Sequence, residues 1–487
     1  MSDKVASLDF EKFYNTIAGK SRNSPKVHNG INPSDKTKLW DVPIATEHDL
    51  DDAVKSGQEA FKKWSKTTWK DRQDILLQMV KELLSHRDEM AQLILKECGK
   101  PIQFAQLEVD AAAGVIKFHA TIPPPKEQII QDDKELNVSL RYVPLGVVGA
   151  ICPWNFPLIL SMQKIIPGLL TGNTVIVKPS PFTPYSALKF VEMSQKFLPP
   201  GVLQALDGDD RLGPMMTEHP GIEKISFTGS IATGKRIMMS SAKTLKRVTL
   251  ELGGNSACIV CPDVDVNKVA PLVALGAFFN SGQLCVASKR LYVHTDIYKE
   301  FQEALLNVVK SWKVGPAGEP GMMLGPVQNE MQYNIVKGFF EDCAVNGYQF
   351  ALGGEIGDAG GFSVQPAIID NPPHSSRIVS EEPFGPIVPM MPWTTEEELL
   401  TRVNDTRTGL GGAVYCADQE RAVNIAKQIE AGTIWINSFE KPLPNAFFSG
   451  HKESGIGGEN GEQGLFAYLN AQAIHLYKVD VGKGAKL

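Results

Sequence analysis

The chain has 487 residues, of which 43% are hydrophobic and 21% are charged, as is typical of a soluble globular protein with room for about three domains. Its net charge of −6 argues against a nucleic-acid-binding surface. Seven cysteines are an odd and sparse set for this length, so we expect reduced thiols rather than a disulfide framework. The first residues are charged and resemble no secretory signal, so the expected location is cytoplasmic.

Two uncharged stretches, residues 142–162 and 269–288, are long enough to cross a bilayer. The first is interrupted by Pro144, Pro153 and Pro157, and the second contains consecutive polar residues near Asn280. Such interruptions are typical of segments buried around a site. We therefore expect no membrane role.

Helical periodicity dominates from residue 46 to about residue 120, and Thr46 is the predicted N-cap of the first helix. Beyond residue 138, short apolar runs alternate with helical segments. The predicted strands are VVGAIC (147–152), TVIVK (174–178), VLQAL (202–206), EKISF (223–227) and VTLEL (248–252). The helices between them are predicted near 158–170, 185–197 and 231–241. This alternation predicts a parallel, doubly wound α/β sheet, and a second series from about 257 to 436 predicts another.

The tail AIHLYKV (473–479) alternates like an edge strand. It has no obvious place in either series, so we interpret it as a strand that pairs with another subunit.

The stretch FTGSIATGKR (227–236) comes within one residue of a P-loop, because Gly229, Gly234 and Lys235 fit the pattern but Arg236 replaces the magnesium-binding hydroxyl. It follows a predicted strand and opens a predicted helix, the right context for anion binding. A glycine-containing turn without any ligand is the alternative. The missing hydroxyl argues against a P-loop ATPase, and no G-x-G-x-x-G fingerprint occurs in the chain.

Three residues form a candidate catalytic set. Cys285 lies among small polar residues, Glu251 ends the strand VTLEL, and Asn155 follows another strand in CPWNFP. A thiol nucleophile, a carboxylate base and an amide donor suit attack on a carbonyl carbon. A buried core cysteine is the alternative for Cys285 taken alone. By contrast, Cys258 and Cys261 lie in an apolar strand without further metal ligands, which favours a structural role.

Seven collinear motifs resemble the aldehyde dehydrogenase superfamily across nearly the whole chain. They are PWNFP (153–157), VKPS (177–180), FTGS (227–230), ELGGN (251–255), GQLC (282–285), EEPFGP (381–386) and WINS (435–438). The resemblance implies NAD(P)-dependent oxidation of an aldehyde to a carboxylic acid. It makes Cys285 the nucleophile of a thiohemiacetal and a thioester, Asn155 with the Cys285 N–H the oxyanion hole, and Glu251 the base that activates water.

The resemblance also implies a cofactor site. Its residues would be Trp154, Lys178, Ser180, Gly229, Ser230, Gly253, Glu382 and Phe384. Pro181 stands where family members that prefer NAD often carry a ribose-binding glutamate, so we expect either NAD or NADP to be accepted.

Positions matching the family's substrate tunnel are mostly apolar. They are Phe156, Leu160, Gln163, Leu284, Val286, Phe439 and Phe448. This lining favours a neutral aliphatic or aromatic aldehyde, and Gln163, in place of a family tryptophan, should widen the tunnel. Glu440 near its mouth leaves an aminoaldehyde or betaine-aldehyde type of substrate as the alternative. A CoA-acylating enzyme is disfavoured by Glu251, and a non-enzymatic protein on this fold by the presence of both Cys285 and Glu251.

The implied fold is aldehyde dehydrogenase-like, with two doubly wound Rossmann-like α/β domains and a small β arm. The dinucleotide-binding domain would comprise residues 1–122 and 145–253, and the catalytic domain residues 254–469. Residues 123–144 and 470–487 would form the bridging and oligomerisation arm of a homodimer or homotetramer. No metal site is expected.

Overall fold

A computed structural model describes residues 8–356, 360–439 and 441–481. The chain opens with four short strands and four helices. Their bounds are β1 Asn15–Ile17, β2 Lys20–Arg22, β3 Val27–Ile31, β4 Lys38–Pro43, α1 Glu47–Trp64, α2 Trp69–Ser85, α3 Arg87–Cys98 and α4 Ile102–His119. Thr46 is the N-cap of α1, as predicted, and forms a reciprocal capping box with Asp49.

An eight-stranded sheet follows, preceded by two strands that belong to a separate sheet. The bounds are β5 Gln128–Asp132, β6 Leu136–Pro144, β7 Val147–Ile151, α5 Pro157–Leu170, β8 Thr174–Lys178, α6 Tyr185–Ser194, β9 Leu203–Ala205, α7 Leu212–Glu218, β10 Lys224–Thr228, α8 Ile231–Ser241 and β11 Arg247–Glu251. The central strands run parallel in the order β9-β8-β7-β10-β11. Every residue of β7, β8 and β10 is buried, because helices cover both faces of the sheet.

A second, seven-stranded sheet is built from the next part of the chain. The bounds are β12 Ala257–Val260, α9 Val266–Phe278, β13 Arg290–His294, α10 Tyr298–Lys310, α11 Glu330–Val345, β14 Gln349–Leu352, β15 Ala367–Asp370, α12 Arg377–Ser380, β16 Ile387–Trp393, α13 Glu396–Asn404, β17 Thr408–Gly409, β18 Gly411–Tyr415, α14 Gln419–Ala426 and β19 Thr433–Ile436. Its order is β14-β15-β16-β13-β12-β18-β19, and only β14 runs antiparallel to its neighbour. The two sheets confirm the predicted doubly wound α/β fold class.

The last elements return to both earlier parts of the fold. Their bounds are β20 Phe448–Ser449, β21 His451–Lys452, β22 Gly455–Ile456, β23 Gly458–Glu459, α15 Gly461–Leu465 and β24 Leu469–Tyr477. β22 pairs antiparallel with β11 and completes the first sheet. β24 pairs along its whole length with β6 of the same chain, in a three-stranded sheet of order β24-β6-β5. The tail strand therefore has a partner within its own chain, and its outer edge faces away from β6.

Among the residues that the structure describes, no helix combines the length and apolar character needed to cross a bilayer. The uncharged stretches 142–162 and 269–288 instead supply the buried strand β7 and the largely buried helices α5 and α9. The two uncharged stretches are therefore parts of the protein core.

Candidate active site

The carboxyl end of β11 carries a buried carboxylate. Glu251 is the last residue of the strand, and neither of its carboxylate oxygens has a hydrogen-bond partner among the described residues. The chain then crosses to the second sheet through residues 252–256, which include Gly253 and Gly254. A Cβ atom added to Gly254 would lie 2.6 Å from the carbonyl oxygen of Cys285. Only glycine permits this close approach of the two segments.

The loop before Cys285 has an unusual backbone. Asn280, Ser281 and Gly282 have consecutive positive φ angles of 52°, 56° and 72°. A Cβ at Gly282 would lie 2.2 Å from the Gly385 carbonyl oxygen. The Ser281 hydroxyl donates to the Gly325 carbonyl oxygen at 2.6 Å, which fixes the loop from its other side. Strained backbone of this kind is typical of functional sites, where surrounding contacts hold it in place.

Asn155 ties the first sheet to this loop. It follows β7, is buried, and donates from Nδ2 to the Gln283 carbonyl oxygen at 3.0 Å. Asn280 donates in return to the carbonyl oxygens of Asn155 at 3.3 Å and Gln283 at 3.2 Å. The structure thus brings Asn155, the Cys285 loop and the end of β11 together.

Burial dominates the electrostatics of the site. It raises the pKa of the Cys285 thiol to about 12, with the charges of Glu382 and Glu251 acting in the same direction, although the residue as a whole is only half-buried. It also raises the pKa of Glu382 to about 8, against the opposing effect of Lys289 and of the Gly254 N–H. A thiol in this state needs a base or a bound cation before it can attack.

Glu251 lies beside a buried ion pair. Burial holds its pKa well above the usual range, the charge of Glu459 adds to the rise, and that of Lys164 opposes it. Lys164 Nζ donates to Glu459 Oε1 at 2.7 Å and to the Thr228 hydroxyl at 2.7 Å. Lys164 and Glu459 were not predicted, because 295 positions separate them in the chain.

Most of the sequence-predicted cofactor residues follow strands of the first sheet, and Glu382 and Phe384 lie between α12 and β16. Ser230 is the N-cap of α8, and its Oγ accepts from the Thr233 N–H at 3.3 Å. A Cβ at Gly229 would lie 2.5 Å from the Phe227 ring, so a glycine is required where the turn opens. The free N–H groups of a helix N-terminus fit a phosphate. Gly234 packs against Leu252, which accounts for the second glycine of the P-loop-like pattern.

The remaining cofactor residues also fit a dinucleotide. The rings of Trp154 and Phe384 meet edge to face, with centroids 5.3 Å apart. Glu382 Oε1 is buried and has no hydrogen-bond partner in the described part of the chain, so it can accept from a ribose hydroxyl. A Cβ at Gly253 would lie 2.6 Å from Glu382 Oε2. Lys178 ends β8, and the nearby Ser180 is buried.

Aromatic rings gather beside the cysteine loop. Phe279 lies 6.2 Å from Phe156 and 6.3 Å from Phe439, between ring centroids, and Phe104 of α4 meets it edge to face at 5.0 Å. Phe104 and Phe279 were missed from the sequence. No local signal indicated Phe279, because the left-handed residues that follow it depend on tertiary contacts.

The other predicted tunnel residues are spread over several elements. Leu160 and Gln163 on α5, Leu284 beside the cysteine and Phe448 on β20 are partly buried. Val286 is fully buried, with its side chain beside Gly411 of β18. Glu440 lies outside the described residues.

Two largely parallel sheets that meet at a buried carboxylate and a half-buried thiol fit a dinucleotide-dependent α/β enzyme with a candidate cysteine nucleophile. The sequence model of the aldehyde dehydrogenase family matches residues 20–474. The chain belongs to the aldehyde dehydrogenase family. This membership confirms the expectation of an oxidoreductase that uses NAD or NADP.

Several relatives are similar over nearly their whole length. An aldehyde dehydrogenase of a Fusarium species is 42% identical over 473 residues, 97% of this chain and 100% of that protein. A chloroplastic aminoaldehyde dehydrogenase of Arabidopsis thaliana is 36% identical over 465 residues, 92% of each. The structure of betaine aldehyde dehydrogenase from Staphylococcus aureus in complex with NAD⁺ has a TM-score of 0.93 at 30% identity, covering 98% of this chain and 97% of that one.

Proposed function

We propose that this protein oxidises an aldehyde to a carboxylic acid through a covalent Cys285 intermediate. The observation that carries the proposal is the junction of three groups: Cys285 on a strained loop, Asn155 bonded to that loop, and the unpartnered buried carboxylate of Glu251. Each group has a role that the chemistry requires.

Cys285 forms the first bond. The raised pKa keeps the free thiol protonated at neutral pH, so its proton passes to solvent at the half-buried sulfur as the sulfur bonds to the aldehyde carbon. The second N–H of the Asn155 amide and the Cys285 backbone N–H then stabilise the oxyanion of the thiohemiacetal. NAD or NADP, when bound, would supply the hydride acceptor that oxidation of the thiohemiacetal to a thioester requires.

Different residues of this chain would bind the different parts of that cofactor. The α8 N-terminus at Gly229 and Ser230 would face the pyrophosphate, and Lys178 the adenosine ribose. Glu382 and Phe384 would hold the nicotinamide ribose and ring, with Trp154 against Phe384.

Glu251 completes the cycle by hydrolysis. Once deprotonated, its carboxylate takes a proton from water, which attacks the thioester carbon and releases the acid from Cys285. The buried Lys164–Glu459 pair acts on this carboxylate through charge, since Glu459 raises the pKa of Glu251 and Lys164 lowers it.

The aromatic cluster of Phe104, Phe156, Phe279 and Phe439 supports a neutral aliphatic or aromatic aldehyde as substrate. An aminoaldehyde or betaine-aldehyde substrate is the second candidate, because relatives with those names are 30–36% identical. A panel of propanal, benzaldehyde and a cationic aminoaldehyde separates the two. A higher kcat/KM for the cationic substrate would contradict the first candidate.

We also propose that NADP is tolerated, since Pro181 removes a carboxylate that would repel the 2′-phosphate. The absence of turnover with NADP at millimolar concentration would contradict this.

The proposed location is cytoplasmic, and the proposed assembly is a homodimer or homotetramer joined through the β24-β6-β5 sheet.

The direct test of the proposed chemistry is the appearance of reduced nicotinamide absorbance with propanal or benzaldehyde. Cys285→Ala is expected to abolish the signal, because it removes the sulfur that bonds the substrate. Cys343→Ala, which removes a buried cysteine from the core of the second sheet, is the matched control and should retain it. Substantial activity in Cys285→Ala would contradict the mechanism.

A further inference from the structure

An aspartate lies at the carboxyl edge of the first sheet, close to Lys178. The N–H of Leu206 donates to the Val177 carbonyl oxygen at 2.9 Å, which extends the pairing of β9 with β8 up to the residue before Asp207. Since Lys178 ends β8, this register brings Asp207 to the same edge. Burial lowers the pKa of the Lys178 ammonium, and the charge of Asp207 is the largest influence opposing that shift.

Asp207 is completely buried, yet only part of its carboxylate is used. Oδ2 is hydrogen-bonded to Nε2 of His28 on β3, and the Asp207 backbone accepts from Ala45 and donates to Asn15. Oδ1 is buried too, and it has no hydrogen-bond partner within the described ranges. A buried carboxylate oxygen without a donor is destabilising, so a donor that arrives with a ligand is its natural partner.

The adenosine ribose supplies such a donor. In dinucleotide-binding sheets a carboxylate beyond the second strand accepts from the ribose 2′-hydroxyl. Pro181 has no side-chain acceptor to offer there. Asp207 offers such an acceptor just after the neighbouring strand β9, at the sheet edge where Lys178 ends β8.

We propose that Asp207 binds the 2′-hydroxyl of the adenosine ribose through Oδ1, while His28 holds the other oxygen, and that this residue makes the enzyme prefer NAD to NADP. The Asp207 charge opposes a 2′-phosphate and the Lys178 charge attracts one, so NADP binds, but more weakly than NAD. The inference rests on the dinucleotide site proposed above.

Calorimetric titration of the whole protein with NAD and with NADP, in the absence of aldehyde, measures the preference without turnover. Asp207→Asn keeps the shape of the side chain and removes its charge. It should lower the ratio of the NADP dissociation constant to the NAD dissociation constant on the order of tenfold, as expected for the loss of a hydrogen bond to a charged group.

Asp209→Asn is the matched control, because it removes the same charge from a carboxylate that is bonded to the exposed Arg211 and acts less strongly on Lys178 than Asp207 does. It should change the ratio by less than about twofold, as befits an exposed pair. A folded Asp207→Asn variant with an unchanged ratio would overturn the proposal, as would an equal shift in Asp209→Asn.

A measurement on the unaltered protein covers the case in which Asp207→Asn does not fold. The NAD analogue that lacks the 2′-hydroxyl of the adenosine ribose should bind on the order of tenfold more weakly than NAD. Equal binding of the two would overturn the role of Asp207. Failure of the unaltered protein to bind either NAD or NADP would overturn the dinucleotide site itself, a result distinct from loss of the preference.

Discussion

At the scale of single residues, Glu251 is the group whose state limits the proposed hydrolysis. Burial raises its pKa and so favours the protonated carboxyl, whereas only the deprotonated form can accept a proton from water. The rate of thioester hydrolysis should therefore rise with pH through the pKa of Glu251. That rise should occur at a higher pH than for an ordinary glutamate, whose pKa is about 4.3.

The two charges beside Glu251 should move this pH profile in opposite directions. Lys164→Met removes the cation that lowers the pKa of Glu251, so the rise in kcat should shift to higher pH. Glu459→Gln removes an anion that raises it, so the rise should shift to lower pH. Steady-state kcat measured across pH tests both shifts.

An exposed pair provides the control for these variants. Lys235 lies 3.1 Å from Glu453 at the surface, and the corresponding variants Lys235→Met and Glu453→Gln should leave the pH profile in place. Shifts of the same sign for Lys164→Met and Glu459→Gln would show that the ion pair does not act on Glu251 through charge.

At the scale of elements, the cysteine loop depends on Gly282. Alanine at this position meets both a left-handed backbone, at a cost of about 1–2 kcal/mol, and the Gly385 carbonyl oxygen 2.2 Å from its Cβ. Gly282→Ala should therefore displace Cys285 and reduce kcat severely.

Gly347 is the matched control for backbone strain. Its φ of 68° is close to that of Gly282, but no atom lies within 4 Å of an added Cβ. Gly347→Ala should lower the free energy of unfolding by about 1–2 kcal/mol and leave kcat unchanged. Equal kcat values for the two variants, measured beside their unfolding curves, would contradict the role assigned to the loop.

The elements that the sequence predicts best are those with a strong local pattern. TVIVK is an uninterrupted apolar run and corresponds to β8 residue for residue, and the helix 231–241 begins after the serine that caps it. The short strand β22 has no such run and forms only because β11 offers it a free edge. The left-handed residues 280–282 and the Lys164–Glu459 pair depend on tertiary contacts, which no local pattern encodes.

At the scale of the whole molecule, the sheet β24-β6-β5 leaves an apolar surface exposed. Ile129, Ile130, Leu476 and Tyr477 are each about 60% exposed. A surface of this kind on an edge sheet is typical of an interface. We expect a second copy of the chain to cover it.

Leu476→Glu should weaken that association, because it would bury a charge in the interface. Light scattering after size exclusion should then show a smaller mass than for the unaltered protein. Val345→Glu, an equally drastic change at the exposed end of α11, should leave the mass unchanged. A monomeric unaltered protein would contradict the proposed assembly.

The central claim is that one cysteine carries the substrate and one carboxylate releases it. Intact-protein mass spectrometry of Glu251→Gln, after incubation with benzaldehyde and NAD, tests it most directly. The variant should retain an acyl group on Cys285, since the thioester forms but no base activates water. The absence of an adduct on Glu251→Gln would contradict the account. So would an adduct on the double variant that carries both Glu251→Gln and Cys285→Ala.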